Sequence, residues 1–220
     1  MSYYLQNGAH VLITGATGAG DEYGGKTVLA NWWFTESCRS GHYDMGLFFN
    51  PKGHTFVRGV RVRSLAELVE EYREGTRMFD YVPSSDSVTE HTAIIETLRQ
   101  VPGDKILIHD ECHEVAKSDM LDWCYRQGGN VGNGSRFGTG DIRSIGITQH
   151  PWDLPESVSN NSPLIVWVGP KTQQSKRYFQ SMQIQGAYDQ IGDVPPYHWS
   201  VIDAGEFVET NAAVPEEFSK

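Results

Sequence analysis

The sequence predicts an α/β fold in which a mainly parallel central sheet is flanked by helices. Short apolar runs rich in β-branched residues recur along the chain, and several are apolar throughout, as strands buried on both faces of a parallel sheet are. Helix-like stretches separate these runs, which is the alternation typical of strand–helix–strand units. The predicted strands are residues 11–14, 46–50, 78–82, 106–110, 142–148, 164–169 and 199–203.

Helices are predicted between these strands. Residues 27–40 follow a run of glycines and are predicted to be helical. Ser64 is predicted to cap a second helix, and Glu67, three residues later, completes a capping box. Ser87 and Glu90 repeat this pattern before a third helix.

Composition limits the class of protein. The 220 residues are 39% hydrophobic, which is enough for one sizeable core and excludes a wholly disordered chain. No apolar run approaches the ~20 residues that cross a bilayer, and the N-terminus lacks the features of a secretory signal. The three cysteines form no CxxC pair, which favours free thiols in a reducing compartment. We expect one domain over residues 1–205 and a C-terminal tail, residues 206–220, that begins as an edge element.

The strongest motif follows the first predicted strand. Residues 20–27 read GDEYGGKT and satisfy the pattern G-x-x-x-x-G-K-[ST]. Backbone N–H groups in such a loop converge on phosphate oxygens, and the helix N-terminus adds the positive end of its dipole. Lys26 is predicted to reach the β- and γ-phosphates of ATP, and Thr27 to bind Mg²⁺. A glycine-rich turn with a chance GKT is the alternative.

The register of this loop is unusual. The strand runs directly into GATGAG, residues 15–20, which by itself is typical of the start of a phosphate-binding loop. Residues 21–25 then resemble an insertion, and Asp21 and Glu22 would repel a triphosphate, so we expect them to bulge outward. Either the earlier or the later glycines shape the phosphate cradle. The candidates are Gly15, Gly18, Gly20, Gly24 and Gly25.

Two further strand ends carry groups that hydrolysis needs. The run KILIHDE, residues 105–111, is an apolar strand that ends in two acids. Asp110 is predicted to hold Mg²⁺ through water, and Glu111 to polarise the attacking water. Gln149 ends another strand, where its amide would bind the γ-phosphate or the lytic water. The alternatives are two acids that merely end a buried strand, and a simple turn residue at position 149.

With these motifs placed, the chain resembles the FtsK/HerA superfamily of P-loop ATPases. Within it, the likeness is greatest to the genome-packaging ATPases of membrane-containing, double jelly-roll icosahedral viruses. Four segments carry the resemblance, in the family's order: GATGAG…GGKT, FFNPKGH, ILIHDECH and ITQHPWDLPESV. Asn50 stands in the second segment where the family usually has an acid.

The resemblance implies a RecA-like P-loop NTPase core that forms a homo-oligomeric ring, often a hexamer. It implies ATP-driven translocation of double-stranded DNA into a preformed capsid, with capsid vertex or membrane proteins as partners, in the host cytoplasm and the virion. It also implies an arginine finger given in trans from just before the strand that ends at Gln149. Arg126, Arg136 and Arg143 compete for that role, and we favour Arg136 because residues 128–140, which are rich in glycine, predict a flexible loop.

The same motifs are compatible with three other functions. An FtsK/HerA-like ATPase in plasmid transfer, chromosome segregation or phage extrusion would carry the same segments. A nucleotide-gated assembly module with little hydrolysis is a second alternative, and a small-substrate P-loop kinase is a third. ATPase measurements with and without duplex DNA distinguish them.

The net charge of −10 argues against a protein that coats nucleic acid with its whole surface. The charge is uneven, however, because residues 45–66 contain no Asp or Glu. A solvated strand–turn surface is the alternative to a DNA-binding role for this segment. The basic residues predicted to contact DNA are Lys52, Arg58, Arg61 and Arg63.

Overall fold

The computed structural model of the 220-residue chain describes residues 10–15, 25–130, 140–169, 171, 173–192, 198–212 and 214–218. These residues form one nine-stranded sheet with helices around it. The strands are β1 (Val11–Gly15), β2 (Met45–Phe49), β3 (Val60–Val62), β4 (Met78–Tyr81), β5 (Lys105–His109), β6 (Ile142–Thr148), β7 (Leu164–Val168), β8 (Trp199–Asp203) and β9 (Glu206–Asn211). The helices are α1 (Lys26–Arg39), α2 (Leu65–Arg73), α3 (Ser87–Leu98), α4 (Asp119–Gln127), α5 (Glu156–Asn160), α6 (Gln173–Ser181) and α7 (Gln185–Gln190).

The strand order in the sheet is β3-β4-β2-β5-β6-β1-β7-β8-β9. All pairs from β3 to β7 are parallel, and β8 and β9 add an antiparallel ribbon at one edge. The predicted α/β class with a mainly parallel sheet is therefore confirmed. Because β6 lies between β5 and β1 and the three strands are parallel, the residues that follow them lie together at the carboxyl ends of the strands. This side of the sheet is called its carboxyl edge below.

The sheet separates two hydrophobic cores. Successive side chains of a strand point to opposite faces, so Leu12 of β1 enters one core while Val11 and Ile13 enter the other. Helix α1 packs against the core that contains Val11 and Ile13. There the fully buried Trp33 meets Trp199 edge to face, with 5.4 Å between the ring centroids. Helices α2 to α7 contribute to the first core. A slip of one residue in β1 would exchange the two sets, which fixes its register.

Helix α2 begins as the capping box predicts, with one change. The Ser64 hydroxyl accepts a hydrogen bond from the Glu67 N–H at 3.2 Å. The Glu67 carboxylate accepts in return from the N–H of Arg63 at 2.7 Å, one residue earlier than in the standard motif. The side chain of Glu67 therefore ties the start of α2 to the preceding segment.

The predicted cap of α3 is wrong by one residue. Asp86, not Ser87, is the N-cap, and its carboxylate accepts from the Thr89 N–H at 2.8 Å. A carboxylate is the better acceptor here because its charge also interacts favourably with the helix dipole. The Glu90 carboxylate instead accepts from the N–H of Ser85 at 2.7 Å, which fixes the loop before the helix.

All seven predicted strands agree with the structure to within one residue at each end. The pattern does not predict β3, since three residues are too few to show a period. In the described part of the chain, no helix combines the length and hydrophobicity that crossing a membrane requires.

Candidate nucleotide-binding site

The predicted site residues converge at the carboxyl edge of the sheet. Gly15 ends β1, Asp110 follows β5 and Gln149 follows β6. Helix α1 begins at Lys26, and Gly25 is its N-cap, with an extended backbone and no side chain to fill the space at the helix start. This edge is where α/β sheets bind ligands, because loops there surround the ends of several strands.

A hydrogen bond joins the start of α1 to the residue that follows β5. The Thr27 hydroxyl donates to Asp110 Oδ1 at 3.2 Å. Asp110 is 1% exposed, and its Oδ2 accepts no hydrogen bond from the described residues. His54 Nε2 lies 3.7 Å from Oδ2, and burial lowers the pKa of this imidazole. One oxygen of the Asp110 carboxylate is thus bound to Thr27, while the other is buried without a hydrogen-bond partner among the described residues.

The electrostatics of Asp110 favour a cation beside its carboxylate. Burial, followed by the adjacent negative charge of Glu111, raises the pKa of Asp110 to about 7. A buried carboxylate of this kind gains from a cation beside it. A hydroxyl oxygen and carboxylate oxygens are the hard donors that Mg²⁺ prefers. The donor chemistry of Thr27 and Asp110 therefore fits Mg²⁺.

Lys26 lies next to the same pair. Its Nζ donates to the Gly15 carbonyl oxygen at 3.2 Å, and burial lowers its pKa. Gly15 has a φ of +152°, and a Cβ at this position would overlap the Val168 carbonyl oxygen. Glycine is thus required where β1 ends against β7. This close packing lets the main chain of Gly15 meet the Lys26 side chain.

Glu111 has an unusual backbone and several partners. Its φ of +49° is uncommon for a residue with a side chain, and such strain is concentrated at functional sites. Gln149 Nε2 donates to Glu111 Oε1 at 3.3 Å, and the Lys52 ammonium pairs with the same oxygen. His113 Nδ1 lies 3.3 Å from Oε2. Glu111 and Gln149, both predicted from strand ends, are therefore in direct contact.

The segment after β2 is held by a buried polar network. Asn50 donates through Nδ2 to Asp80 Oδ1 at 2.8 Å, and its Oδ1 accepts from the N–H of His54 at 2.9 Å. Arg61 pairs with Asp80 Oδ2 at 2.6 Å. A carboxylate at position 50 would face the carboxylate of Asp80, so an amide suits this position better than an acid.

The four basic residues predicted to contact DNA occupy different environments. Lys52 points to Glu111, and Arg61 is bound to buried Asp80. Arg58 and Arg63 are exposed, although Arg58 also donates to the Glu217 carbonyl oxygen at 2.8 Å. A DNA-contact role for all four stays a prediction; Lys52, Arg58 and Arg63 are exposed, whereas Arg61 is half-buried.

Several predicted residues lie outside the described part of the chain. They are Gly18, Gly20, Gly24 and the favoured arginine finger, Arg136. Of the other two finger candidates, Arg126 pairs with Asp122 at 3.0 Å on the exposed side of α4, and Arg143 pairs with Asp141 at 3.1 Å. Arg143 lies at the start of β6, at the opposite edge of the sheet from Asp110.

Sequence reasoning missed the contacts of Lys52 and His54 with the acidic pair. Both residues lie in the segment directly after β2. Since β2 pairs in parallel with β5, this segment ends at the same edge as Asp110. These contacts could have been predicted only from the order of the strands in the sheet, and the local sequence pattern does not specify that order.

No protein-family model and no curated protein matches the chain, but solved structures do. The genome packaging NTPase B204 from Sulfolobus turreted icosahedral virus 2, in complex with ATP-gammaS, matches with a TM-score of 0.71 at 12% identity, over 94% of this chain and 98% of that chain. EssC (ATPases 2 and 3) from Geobacillus thermodenitrificans matches with a TM-score of 0.57 at 12% identity, over 96% and 40%. The pCW3 conjugation coupling protein TcpA matches with a TM-score of 0.54 at 12% identity, over 93% and 60%.

The fold is that of a P-loop NTPase. The structural neighbours are the B204 genome-packaging ATPase and FtsK-like ATPases, so the predicted resemblance to the FtsK/HerA superfamily is confirmed at the level of fold. At identities this low the likeness establishes architecture alone, and activity rests on the site itself.

Proposed function

We propose that this chain is a Mg²⁺-dependent ATPase. The observation that carries the proposal is the hydrogen bond from Thr27 to Asp110, 3.2 Å long. It sets the start of α1, where a phosphate would bind, against a buried carboxylate that fits a divalent cation. Lys26 and Glu111 are the sequence neighbours of this pair, and their opposite charges interact.

Each group has a defined part in hydrolysis. The N-terminus of α1 and the Lys26 ammonium bind the phosphates, and Thr27 and Asp110 would hold Mg²⁺, which neutralises phosphate charge. Glu111 accepts a proton from water as the water oxygen bonds to the γ-phosphorus and the bond to ADP breaks. Gln149, which already touches Glu111, orients that water or the γ-phosphate.

The finer proposal is a homo-oligomeric ring, of about six subunits, that translocates double-stranded DNA and packages a viral genome into a preformed capsid. Support comes from B204, which is named a genome packaging NTPase and a DNA-packaging ATPase and matches over nearly the whole of both chains. Exposed Arg58 and Arg63 would meet DNA, and Arg136 would reach a neighbouring nucleotide. Partners would be a capsid vertex or membrane protein, and the places of action the host cytoplasm and the virion.

We further propose that residues 1–205 act as a single ATPase domain with residues 206–220 as its C-terminal tail, of which β9 pairs with β8. An alternative function is transfer of plasmid DNA, which TcpA favours because it is named a conjugation coupling protein. A nucleotide-gated assembly module and a small-substrate kinase would use the same phosphate site.

The test is steady-state ATP hydrolysis by wild-type protein with and without linear duplex DNA. The proposal expects turnover that DNA stimulates and that Lys26→Ala abolishes. Lys117→Ala is the matched control, because Lys117 is an exposed lysine with no proposed role. Nucleotide binding without turnover would instead indicate the assembly module, and ADP release only with an added acceptor would indicate the kinase.

A further inference from the structure

The contacts of Lys52, Gln149 and His113 occupy most, though not all, of the hydrogen-bonding capacity of the proposed water-activating carboxylate. Glu111 Oε1 faces both the Lys52 ammonium and the Gln149 amide, and Oε2 faces His113 Nδ1. Each carboxylate oxygen has two lone-pair directions. Oε1 has used both of its directions, so this oxygen can accept a proton from water only after one partner leaves.

Lys52 is the partner best able to leave. Its side chain is 42% exposed, against 23% for His113. Water reaches the Lys52 ammonium and can replace Glu111 there, and the long lysine side chain then gains freedom. The buried Glu111 keeps its contacts with Gln149 and His113 when Lys52 leaves. Gln149 is fixed at the end of β6, whereas the lysine ammonium can turn outward about four side-chain bonds without moving the sheet.

The backbone around Lys52 is held while its side chain is free to turn. Asn50 binds His54 and Asp80, and Gly53 N–H donates to the Asn50 carbonyl oxygen at 3.0 Å. Farther along, Asn31 Oδ1 in α1 accepts from the N–H of Arg58 at 2.9 Å. Movement of Lys52 would therefore be a change of rotamer on a fixed support.

The same segment has the charge that attracts a polyanion. Residues 45–66 contain no acid, and Arg58 and Arg63 are exposed on the chain that follows Lys52. A phosphodiester drawn to these arginines competes with Glu111 for the lysine ammonium. Duplex DNA supplies such phosphates at regular spacing, so duplex DNA is the polyanion that we expect this segment to bind.

We propose that Lys52 is a positioning residue that restrains Glu111 until duplex DNA binds the segment and draws the ammonium away. Freed of Lys52, Oε1 of Glu111 can accept the proton of the attacking water, and hydrolysis accelerates. The inference rests on the proposed ATPase function and deepens it, because it names the group through which DNA would control turnover.

The experiment compares wild type, Lys52→Ala, Lys52→Arg and the control Lys117→Ala. ATP hydrolysis is measured with and without linear duplex DNA, and the Kd for ATP-gammaS is measured without DNA. We expect Lys52→Ala to hydrolyse ATP about threefold to fivefold faster than wild type in the absence of DNA, the factor that loss of a weak ion pair allows. DNA should then add nothing, and the Kd should stay within about twofold of wild type, because Lys52 acts on Glu111 and not on the nucleotide. Lys52→Arg, which keeps the charge, should retain low basal turnover and stimulation, as should Lys117→Ala.

Other outcomes overturn the inference in distinguishable ways. Slower basal turnover in Lys52→Ala, or stimulation by DNA as large as in wild type, would overturn it and leave the ATPase proposal standing. A large rise in the Kd for ATP-gammaS would assign Lys52 to the nucleotide and also overturn it. Absence of turnover in every variant, with and without DNA, would overturn both proposals.

Discussion

Thr27 and Asp110 are 83 residues apart in the chain, yet the hydroxyl of one donates to the carboxylate of the other at 3.2 Å. Local sequence gives each residue its place, at a helix start and a strand end, and the parallel sheet brings the two together. In the proposed function, a divalent cation would have the Thr27 hydroxyl and the buried Asp110 carboxylate as ligands.

The first prediction tests this cation site. Thr27→Ala should remove most of the Mg²⁺-dependent part of ATP-gammaS affinity, an effect of about 10- to 100-fold, since loss of groups around a bound metal has that scale. Thr27→Ser keeps the hydroxyl and should bind as wild type does. Titration calorimetry in Mg²⁺ and in EDTA measures the difference. Equal loss of affinity under both conditions would show that Thr27 acts on the nucleotide without the metal.

The second prediction separates binding from chemistry at Glu111. Glu111→Gln keeps the shape and the contact with Gln149 but cannot accept a proton, so turnover should fall by about 10²- to 10⁴-fold. Affinity for ATP-gammaS should change little. Glu114→Gln, an exposed residue three positions away, is the matched control and should hydrolyse normally. Wild-type turnover in Glu111→Gln would rule out the proposed role.

The sequence allows much of this site to be predicted because its core features are local. An apolar run followed by glycines and GKT specifies a strand, a turn and a helix start. An apolar run that ends in two acids specifies a strand whose last residues reach the sheet edge. Parallel pairing then suffices to bring Asp110, Glu111 and Gln149 near Thr27, as the structure does.

What could not be predicted depends on long-range pairing. Lys52 reads locally as one of several basic residues in a polar turn, and only the adjacency of β2 and β5 places it at Glu111. The amide of Asn50 likewise has its partner in Asp80, thirty positions away. Neither contact leaves a periodic signal, because each joins single side chains across separate elements.

The third prediction concerns Gly15, where β1 ends. Gly15→Ala would force a Cβ into the Val168 carbonyl oxygen at a φ of +152°. We expect a loss of roughly 3 kcal/mol in the free energy of unfolding, as for other substitutions that overlap a packed backbone. Urea denaturation measures it. Gly186→Ala is the matched control, because nothing lies near that helical position, and it should be neutral or slightly stabilising. Equal stability of the two variants would contradict the close approach of β1 to β7.

The fourth prediction is loss of stability in mild acid. Burial lowers the pKa of His91 to about 3, and burial together with the charge of Arg143 lowers that of His10 to about 4. Both are below the ordinary value of 6.5, so the unfolded chain binds more protons and stability falls as the pH drops below 6.5. Between pH 7 and pH 5 the loss should be roughly 2 kcal/mol for each histidine, from about 1.4 kcal/mol per pKa unit.

The geometry explains why protonation is unfavourable at these positions. His91 Nε2 lies 2.8 Å from His109 Nδ1, so one ring donates and the other must accept. His10 Nδ1 accepts from the N–H of Ser144 at 3.0 Å, which a proton on that nitrogen would prevent. Urea denaturation at pH 7, 6 and 5 measures the loss. His91→Gln can be less stable at pH 7, yet it should lose about 2 kcal/mol less than wild type on acidification, because one titrating group is gone. An equal loss in both proteins would mean that other groups cause the acid sensitivity.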